Sequence, residues 1–253
     1  HARALDRFVH GRVAFAGDAA HLVCRLLLGK QNSGLEDAET LAWMLAAVVG
    51  GRADPAILDA YAVERRSAWE QNVANAAKST RFMTPGTDGH RVTREAILRL
   101  AAAYPAFGFL LNPRQASATH AHTSPLTWHA DAQARGTLPG DPVPDWSVVV
   151  GEAATTLNRL RGNGFGLLAF GLDDAAYAAV TAAGERLAAA LAPEECRLVL
   201  VNGAVSVAAQ PVVVDPAMQQ ALGARDGEVF VVRPDGLLLA RLQEQDPATA
   251  ARI

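Results

Sequence analysis

The passage from Val13 to Leu45 constrains this chain most, because its hydrophobic period changes once. Val13, Ala14, Phe15 and Ala16 form a short apolar run that Gly17 and Asp18 end, the pattern of a buried strand entering a tight turn. From Gly34 onward Leu35, Ala38, Leu41, Ala42 and Leu45 recur at three and four residues, the period of a helix with one buried face. Asn32 or Ser33 can cap it, Glu36 and Asp37 fall in what the pattern makes its first turn, and Gly50 and Gly51 stop it. A strand thus delivers Asp18 to its end, a loop follows, and Asn32-Ser33-Gly34 opens a helix. Such a geometry sets one carboxylate against a ligand hydroxyl and helix amides against an anionic or carbonyl edge. The same residues also suit plain turns, with Asp18 capping Ala20 and His21.

Composition narrows the class. With 50% apolar and 19% charged residues, the chain is neither disordered nor fibrous, and no run of about 18 apolar residues offers a membrane span. Its 23 basic and 26 acidic side chains leave a net charge of -3, without the basic footprint that nucleic acid or an anionic membrane requires. Cys24 and Cys196 stand far apart, so neither a disulfide framework nor a CxxC pair can be built locally. A cytoplasmic protein is expected, with no nucleic-acid or membrane partner. The chain opens at His1 without a signal-peptide pattern and enters an apolar run by Val13, which reads as a start within a longer polypeptide.

Further along, Pro55 begins a second helix with Ile57, Leu58 and Tyr61 inward, running through Glu64-Arg65-Arg66 to about Lys78. Thr84 to His90 reads as a turn cluster, and Ala96 to Ala103 as a helix that Pro105 ends. The polar stretch 115–141 is the expected linker between a first domain, 1–114, and a second, 142–253. In the second, strands are expected at Ser147 to Val150, Gly166 to Phe170, Cys196 to Val201, Val212 to Val214, Glu228 to Val232 and Leu237 to Ala240. Helices are expected at Ala153 to Arg161 and Ala175 to Leu191. The order is that of an α/β fold.

The complete string carries a resemblance. Gly11-Arg12-Val13, Gly17-Asp18-Ala19-Ala20-His21, Asn32-Ser33-Gly34, Asp37-Ala38, Leu41-Ala42-Trp43 and Tyr61 with Glu64-Arg65-Arg66 together resemble the FAD-dependent aromatic-ring hydroxylases, single-component flavoprotein monooxygenases. The resemblance implies that Asp18, with Gly17, binds the ribityl chain of FAD. It implies that amides near Asn32, Ser33 and Gly34 face the pyrimidine edge of the flavin and stabilise negative charge there. It also implies the reaction: NAD(P)H as reductant, oxygen, and hydroxylation of a small phenolic or other aromatic substrate. No catalytic side chain is assigned.

Two departures accompany the resemblance. Where the family has a proline- and glycine-rich loop, this chain reads Leu22-Val23-Cys24-Arg25-Leu26-Leu27-Leu28-Gly29-Lys30-Gln31, with bulky leucines where close backbone approach calls for glycine. The family also opens with a nucleotide-binding strand, glycine-rich turn and helix; here Gly162-Asn163-Gly164-Phe165-Gly166 gives no GxGxxG fingerprint and reads as a turn. By resemblance the chain is the C-terminal portion of such a flavoprotein, and a missing N-terminal segment or complementary chain supplies the ADP half of the FAD site. The residues from 142 resemble the thioredoxin-like domain of the phenol hydroxylase branch, with Arg233-Pro234-Asp235-Gly236 as a turn between strands and no CxxC, and homo-oligomer contacts are expected. Cys196 is expected as a buried inert thiol. His120, His122 and His129 in a polar loop need no metal, and none is expected. The alternative is a non-catalytic remnant or interaction module that keeps the thioredoxin-like domain.

Overall fold

A computed structural model describes residues 2–22, 30–111, 118–128, 135–191, 196–203 and 212–243. Its fold is mixed α/β, and it divides into two units: residues 1–39 with 61–119, and residues 40–60 with 120–253.

The first unit opens with short strands. β1 (Arg3–Ala4) pairs antiparallel with β4 (His21–Leu22), and β2 (Val9–His10) pairs antiparallel with β3 (Val13–Ala14). A 3-10 turn, Gly17–Ala19, lies between β3 and β4. The strand expected at Val13 to Ala16 is therefore only a two-residue arm of a hairpin, and Val13 is 54% exposed. Phe8 and Val9 take the buried positions instead.

Helix α1 (Lys30–Val49) begins four residues before the apolar period starts, so Asn32-Ser33-Gly34 lies inside its first turns and Asp37 lies beyond them. Helix α2 (Ile57–Met83) runs past Lys78, because Ser79 and Thr80 continue it, Thr80 Oγ1 donating to the Ala76 carbonyl at 3.0 Å, until Pro85 lies ahead. Helix α3 (Asp88–Ala103) starts inside the expected turn cluster, since Thr87 caps it by accepting from the His90 amide. A 3-10 segment, Pro105–Leu111, follows.

Tyr61, Arg66 and Trp69 of α2 reach the N-terminal strands and the residues beside them. Tyr61 Oη donates to the Phe15 carbonyl at 2.7 Å, Arg66 to the Leu5 carbonyl at 2.7 Å, and Trp69 Nε1 to the Leu22 carbonyl at 3.1 Å. The strands are short, and one helix face satisfies carbonyls at and just beyond their ends. Burial, with the Asp37 charge nearby, raises the Tyr61 hydroxyl pKa and keeps it a donor.

The second unit is built on a five-stranded sheet. β5 (Ser147–Val150) and β6 (Ala153–Thr156) form a separate hairpin, followed by α4 (Leu157–Arg161), capped by Thr156. Ala153 to Thr156 is thus strand where helix was expected. Gly151, at φ +61°, turns the chain back onto Ser147 to Val150 and pairing overrides the helix preference of the alanines. Then come β7 (Phe165–Phe170), α5 (Asp174–Leu191), β8 (Cys196–Val201), β9 (Val212–Val213), α6 (Pro216–Leu222), β10 (Glu228–Val232) and β11 (Leu238–Gln243). The sheet order is β11-β10-β7-β8-β9, with β7, β8 and β9 parallel and β10 antiparallel to both neighbours.

The strand period of two sorts the core into faces. Leu168, Phe170, Val199, Val201, Phe230 and Val232 pack with Leu157, Met218 and Leu222 of α4 and α6, while Leu167, Ala169, Leu198, Leu200, Val229 and Val231 pack with Ala176 and Val180 of α5. Phe170 and Phe230 meet edge to face at 4.9 Å between centroids, and truncating either to Ala costs about 3–5 kcal/mol.

Residues of the polar stretch 115–141 are tied to this sheet: the Gly140 amide donates to the Leu238 carbonyl, Trp128 bridges to Ala240, and Arg241 donates to the carbonyls of Arg135 and Thr137. The Arg233-Pro234-Asp235-Gly236 turn joins β10 to β11 with Gly236 at φ +82°, as expected, but it is no simple surface bend. Arg233 and Asp235 form a 2.6 Å ion pair with side chains 1% and 3% exposed, and Thr40 Oγ1 and Trp43 Nε1 donate to the same carboxylate at 3.1 and 3.0 Å. Although burial works against ionisation, Arg233 and these donors hold the Asp235 carboxyl below the usual range.

Candidate functional site

Gly17, His21 and Arg65 come together around one buried carboxylate, Asp37, whose role the local pattern did not disclose. Asp37 is fully buried and accepts from the Gly17 amide at 2.8 Å, from His21 Nε2 at 2.7 Å and from Arg65 Nε at 2.6 Å. Burial alone would raise its pKa; His21, Arg65 and the Gly17 amide outweigh that and hold it low. An ionised carboxylate only accepts, so His21 carries its proton on Nε2 and leaves Nδ1, buried and without a partner among the described residues. Phe8 stacks on the His21 ring at 5.8 Å.

Arg65, also buried, donates to Glu36 Oε2 at 2.9 Å and lies 3.4 Å from the Ser33 carbonyl. Burial disfavours the guanidinium, but Asp37 and then Glu36 raise its pKa. Within Glu64-Arg65-Arg66, Glu64 and Arg65 are buried and Arg65 is committed to α1, while Arg66 pairs with Glu70 on the helix surface. Helix side chains lean toward the N-terminus, so Asp37 covers the turn holding Ser33 and Gly34 and meets Gly17 there.

Gly17, with φ +58°, occupies a conformation that suits glycine. It faces Gly34 with no side chain between: a Cβ on Gly34 would stand 3.6 Å from the Gly17 Cα, an ordinary contact. Packing within the protein therefore does not itself demand glycine at 34, and the paired glycines leave two bare backbones side by side. Asp18 is exposed in the 3-10 turn beside them, which begins after Ala16. Asn32 is exposed, while Ser33 is buried with its Oγ unpartnered among the described residues. The amide of Asn32 lies in the first turn of α1, where helix amides have no intrahelical acceptor. An exposed carboxylate, two bare glycine backbones, a helix start and an orphaned buried hydroxyl fit a ligand carrying hydroxyls and a polar ring edge, as FAD does. The altered loop of Val23 to Gln31 lies outside the described residues, apart from the backbone of Lys30 and Gln31.

Other candidates resolve differently. His120 and His122 stack at 3.9 Å, and His122 Nε2 lies 2.7 Å from Asp141; His129 lies outside the described residues. Burial, with the His122 charge, lowers the His120 pKa. No group of three or more metal-ligating side chains occurs among the described residues. Cys196 is only half-buried, at the start of β8, yet burial pushes its thiol up to about 11, which suppresses the thiolate. No described helix is long and apolar enough to cross a membrane.

Residues 1–76 match the family model described as the FAD binding domain. Over 105 residues the chain is 37% identical to the 3-(3-hydroxy-phenyl)propionate/3-hydroxycinnamic acid hydroxylase of Mycolicibacterium vanbaalenii, covering 42% of this chain and 18% of that protein. Over 67 residues it is 48% identical to such a hydroxylase of Burkholderia vietnamiensis, covering 26% and 12%. Among solved structures, aklavinone-11 hydroxylase in complex with FAD and aklavinone matches with a TM-score of 0.71 and 26% identity over 99% of this chain and 43% of that one. The flavin-dependent monooxygenase PieE, at 22% identity and a TM-score of 0.66, shares the fold. The chain thus carries FAD binding domain sequence at its N-terminus, and its relatives are aromatic hydroxylases. It spans less than a fifth of the length of the curated relatives it matches.

Proposed function

We propose that this chain supplies the flavin-facing part of an FAD-dependent monooxygenase that takes electrons from NAD(P)H and hydroxylates a small phenolic or other aromatic substrate. The observation that carries the reading is the bare Gly17/Gly34 approach beside exposed Asp18 and the orphaned Ser33 hydroxyl. Bound FAD would supply the passage of electrons from the nicotinamide to oxygen. The chain's own part is binding and orientation. Asp18 accepts from the ribityl hydroxyls, and the amide of Asn32 stabilises negative charge on the pyrimidine edge without reorganising.

Because the match covers 43% of the aklavinone-11 hydroxylase chain, the ADP half of the cofactor site belongs, in this proposal, to polypeptide other than these 253 residues. Helix α3 and the segment Pro105–Leu111 bury none of their residues, and Tyr104, Phe107, Phe109, Leu110 and Leu111 are exposed, which supports association with such a polypeptide or a second copy. We assign the second unit to a thioredoxin-like domain without redox chemistry. In support, parallel β7 and β8 are joined through α5, and an antiparallel β10-β11 hairpin sits on the other side of β7. The setting is cytoplasmic.

Gly34→Ala tests the reading. Ala favours a helix over Gly by about 1 kcal/mol and packing leaves room for it, so the melting temperature holds or rises. In a fluorescence titration the FAD dissociation constant rises, as it does in Asp18→Asn. FAD affinity unchanged in both variants refutes the assignment.

A further inference from the structure

The geometry points to the Asp37–Arg65 pair as the positioning element of this cradle, setting the separation between the Gly17-Asp18 arm and the Asn32-Ser33-Gly34 arm. The inference rests on the functional reading above. Asp37 belongs to α1, one turn past Gly34, and takes the amide of the residue immediately before Asp18, so a single carboxylate spans both arms. Arg65 comes from α2 and holds Asp37 Oδ1, Glu36 Oε2 and, more distantly, the Ser33 carbonyl. Fold stability alone is a poor account of such a pair, since buried ion pairs are often replaceable by apolar residues without loss. Here the specific feature is where the bonds go: the bond from Gly17 fixes the turn that carries Asp18, and the fork of Arg65 fixes the turn that carries Ser33. A site held by such a supporting shell loses affinity when the shell loosens, even though no supporting residue touches the ligand.

The test uses the full chain with and without FAD. In Asp37→Asn the Gly17 amide, followed by hydrogen exchange without flavin, exchanges about tenfold faster or more, and the FAD dissociation constant rises about 10- to 100-fold, with a changed visible circular dichroism of the bound flavin. Arg65→Lys keeps a charge beside Asp37 but not the planar fork, and raises the FAD dissociation constant about tenfold while the Gly17 amide stays protected. Phe170→Leu, a core change in the second unit, lowers the melting temperature and leaves affinity and flavin spectrum as in wild type. Asp37→Asn with an unchanged Gly17 amide, or with FAD affinity within about threefold of wild type, overturns the inference. Should Asp37→Asn not fold, Arg65→Lys decides, and unchanged FAD affinity there overturns it. A wild-type chain that takes no FAD in any assembly defeats the functional reading and the inference that rests on it, and the flavin-free exchange measurement then shows separately whether Asp37 holds Gly17.

Discussion

Replacing Asp235 by Asn removes one charge from a buried ion pair of the second unit. Arg233, 1% exposed, loses its 2.6 Å partner, while the remaining amide oxygen can still accept from Trp43 Nε1 or Thr40 Oγ1, but no longer as a carboxylate. Breaking a buried pair on one side costs about 3–5 kcal/mol, and the hydrogen bond that Asn retains returns about 1, so about 2–4 kcal/mol is expected. With a urea dependence of about 2 kcal/mol per molar, the midpoint by circular dichroism falls by about 1–2 M. The paired variant Arg233→Met/Asp235→Leu removes both charges and recovers more than about 1 kcal/mol relative to the sum of the two single changes. A midpoint for Asp235→Asn within about 0.3 M of wild type at unchanged slope refutes the reasoning, because the Arg233 charge would then be compensated without the Asp235 carboxylate.

Acid should weaken the fold through three carboxylates. Asp37, Asp235 and Glu228 are each opposed by burial but held below their ordinary values by their partners, Glu228 by Arg225 and Arg241. A depressed folded-state pKa gives stability that is complete above the unfolded values of about 4 and is lost as pH falls toward the folded ones. Urea midpoints should therefore be flat with respect to these groups near pH 6 and fall below about pH 4, the fall being smaller in Asp37→Asn. Gly223→Ala should lower stability by more than about 1 kcal/mol in the same assay, because φ is +65° there and a Cβ would run into the Arg135 carbonyl oxygen.

Strands with a strong apolar run were legible: Cys196–Val201 and Glu228–Val232 fall where the pattern puts them, because buried central strands need continuous apolar residues. Helix α6 was missed although its signals are present: Asp215 caps it by accepting from the Met218 amide, Pro216 opens it, and Gly223 closes it in the left-handed region. Its seven residues are too few for a helical period to stand out. The start of α1 was misplaced because capping residues were sought at the edge of the apolar period, whereas the helix extends into polar sequence before it. That displacement hid Asp37. Placed in a first turn it reads as a dipole partner, while deeper in the helix it is a buried acceptor for donors 20, 16 and 28 positions away. No local spacing encodes such long-range convergence, although the composite string from Gly17 to Arg66 contains all four of its members.

The central claim is that Gly17, Asp18 and the start of α1 hold a flavin. Its most direct test is intact mass and visible absorbance on one sample of the protein purified without denaturation, followed by titration with FAD. The account predicts a flavin band that travels with this chain and saturable uptake of FAD, weakened by Asp18→Asn. A colourless chain that takes up no FAD, alone or with whatever polypeptide accompanies it, contradicts the account and leaves a fold without the cofactor it resembles.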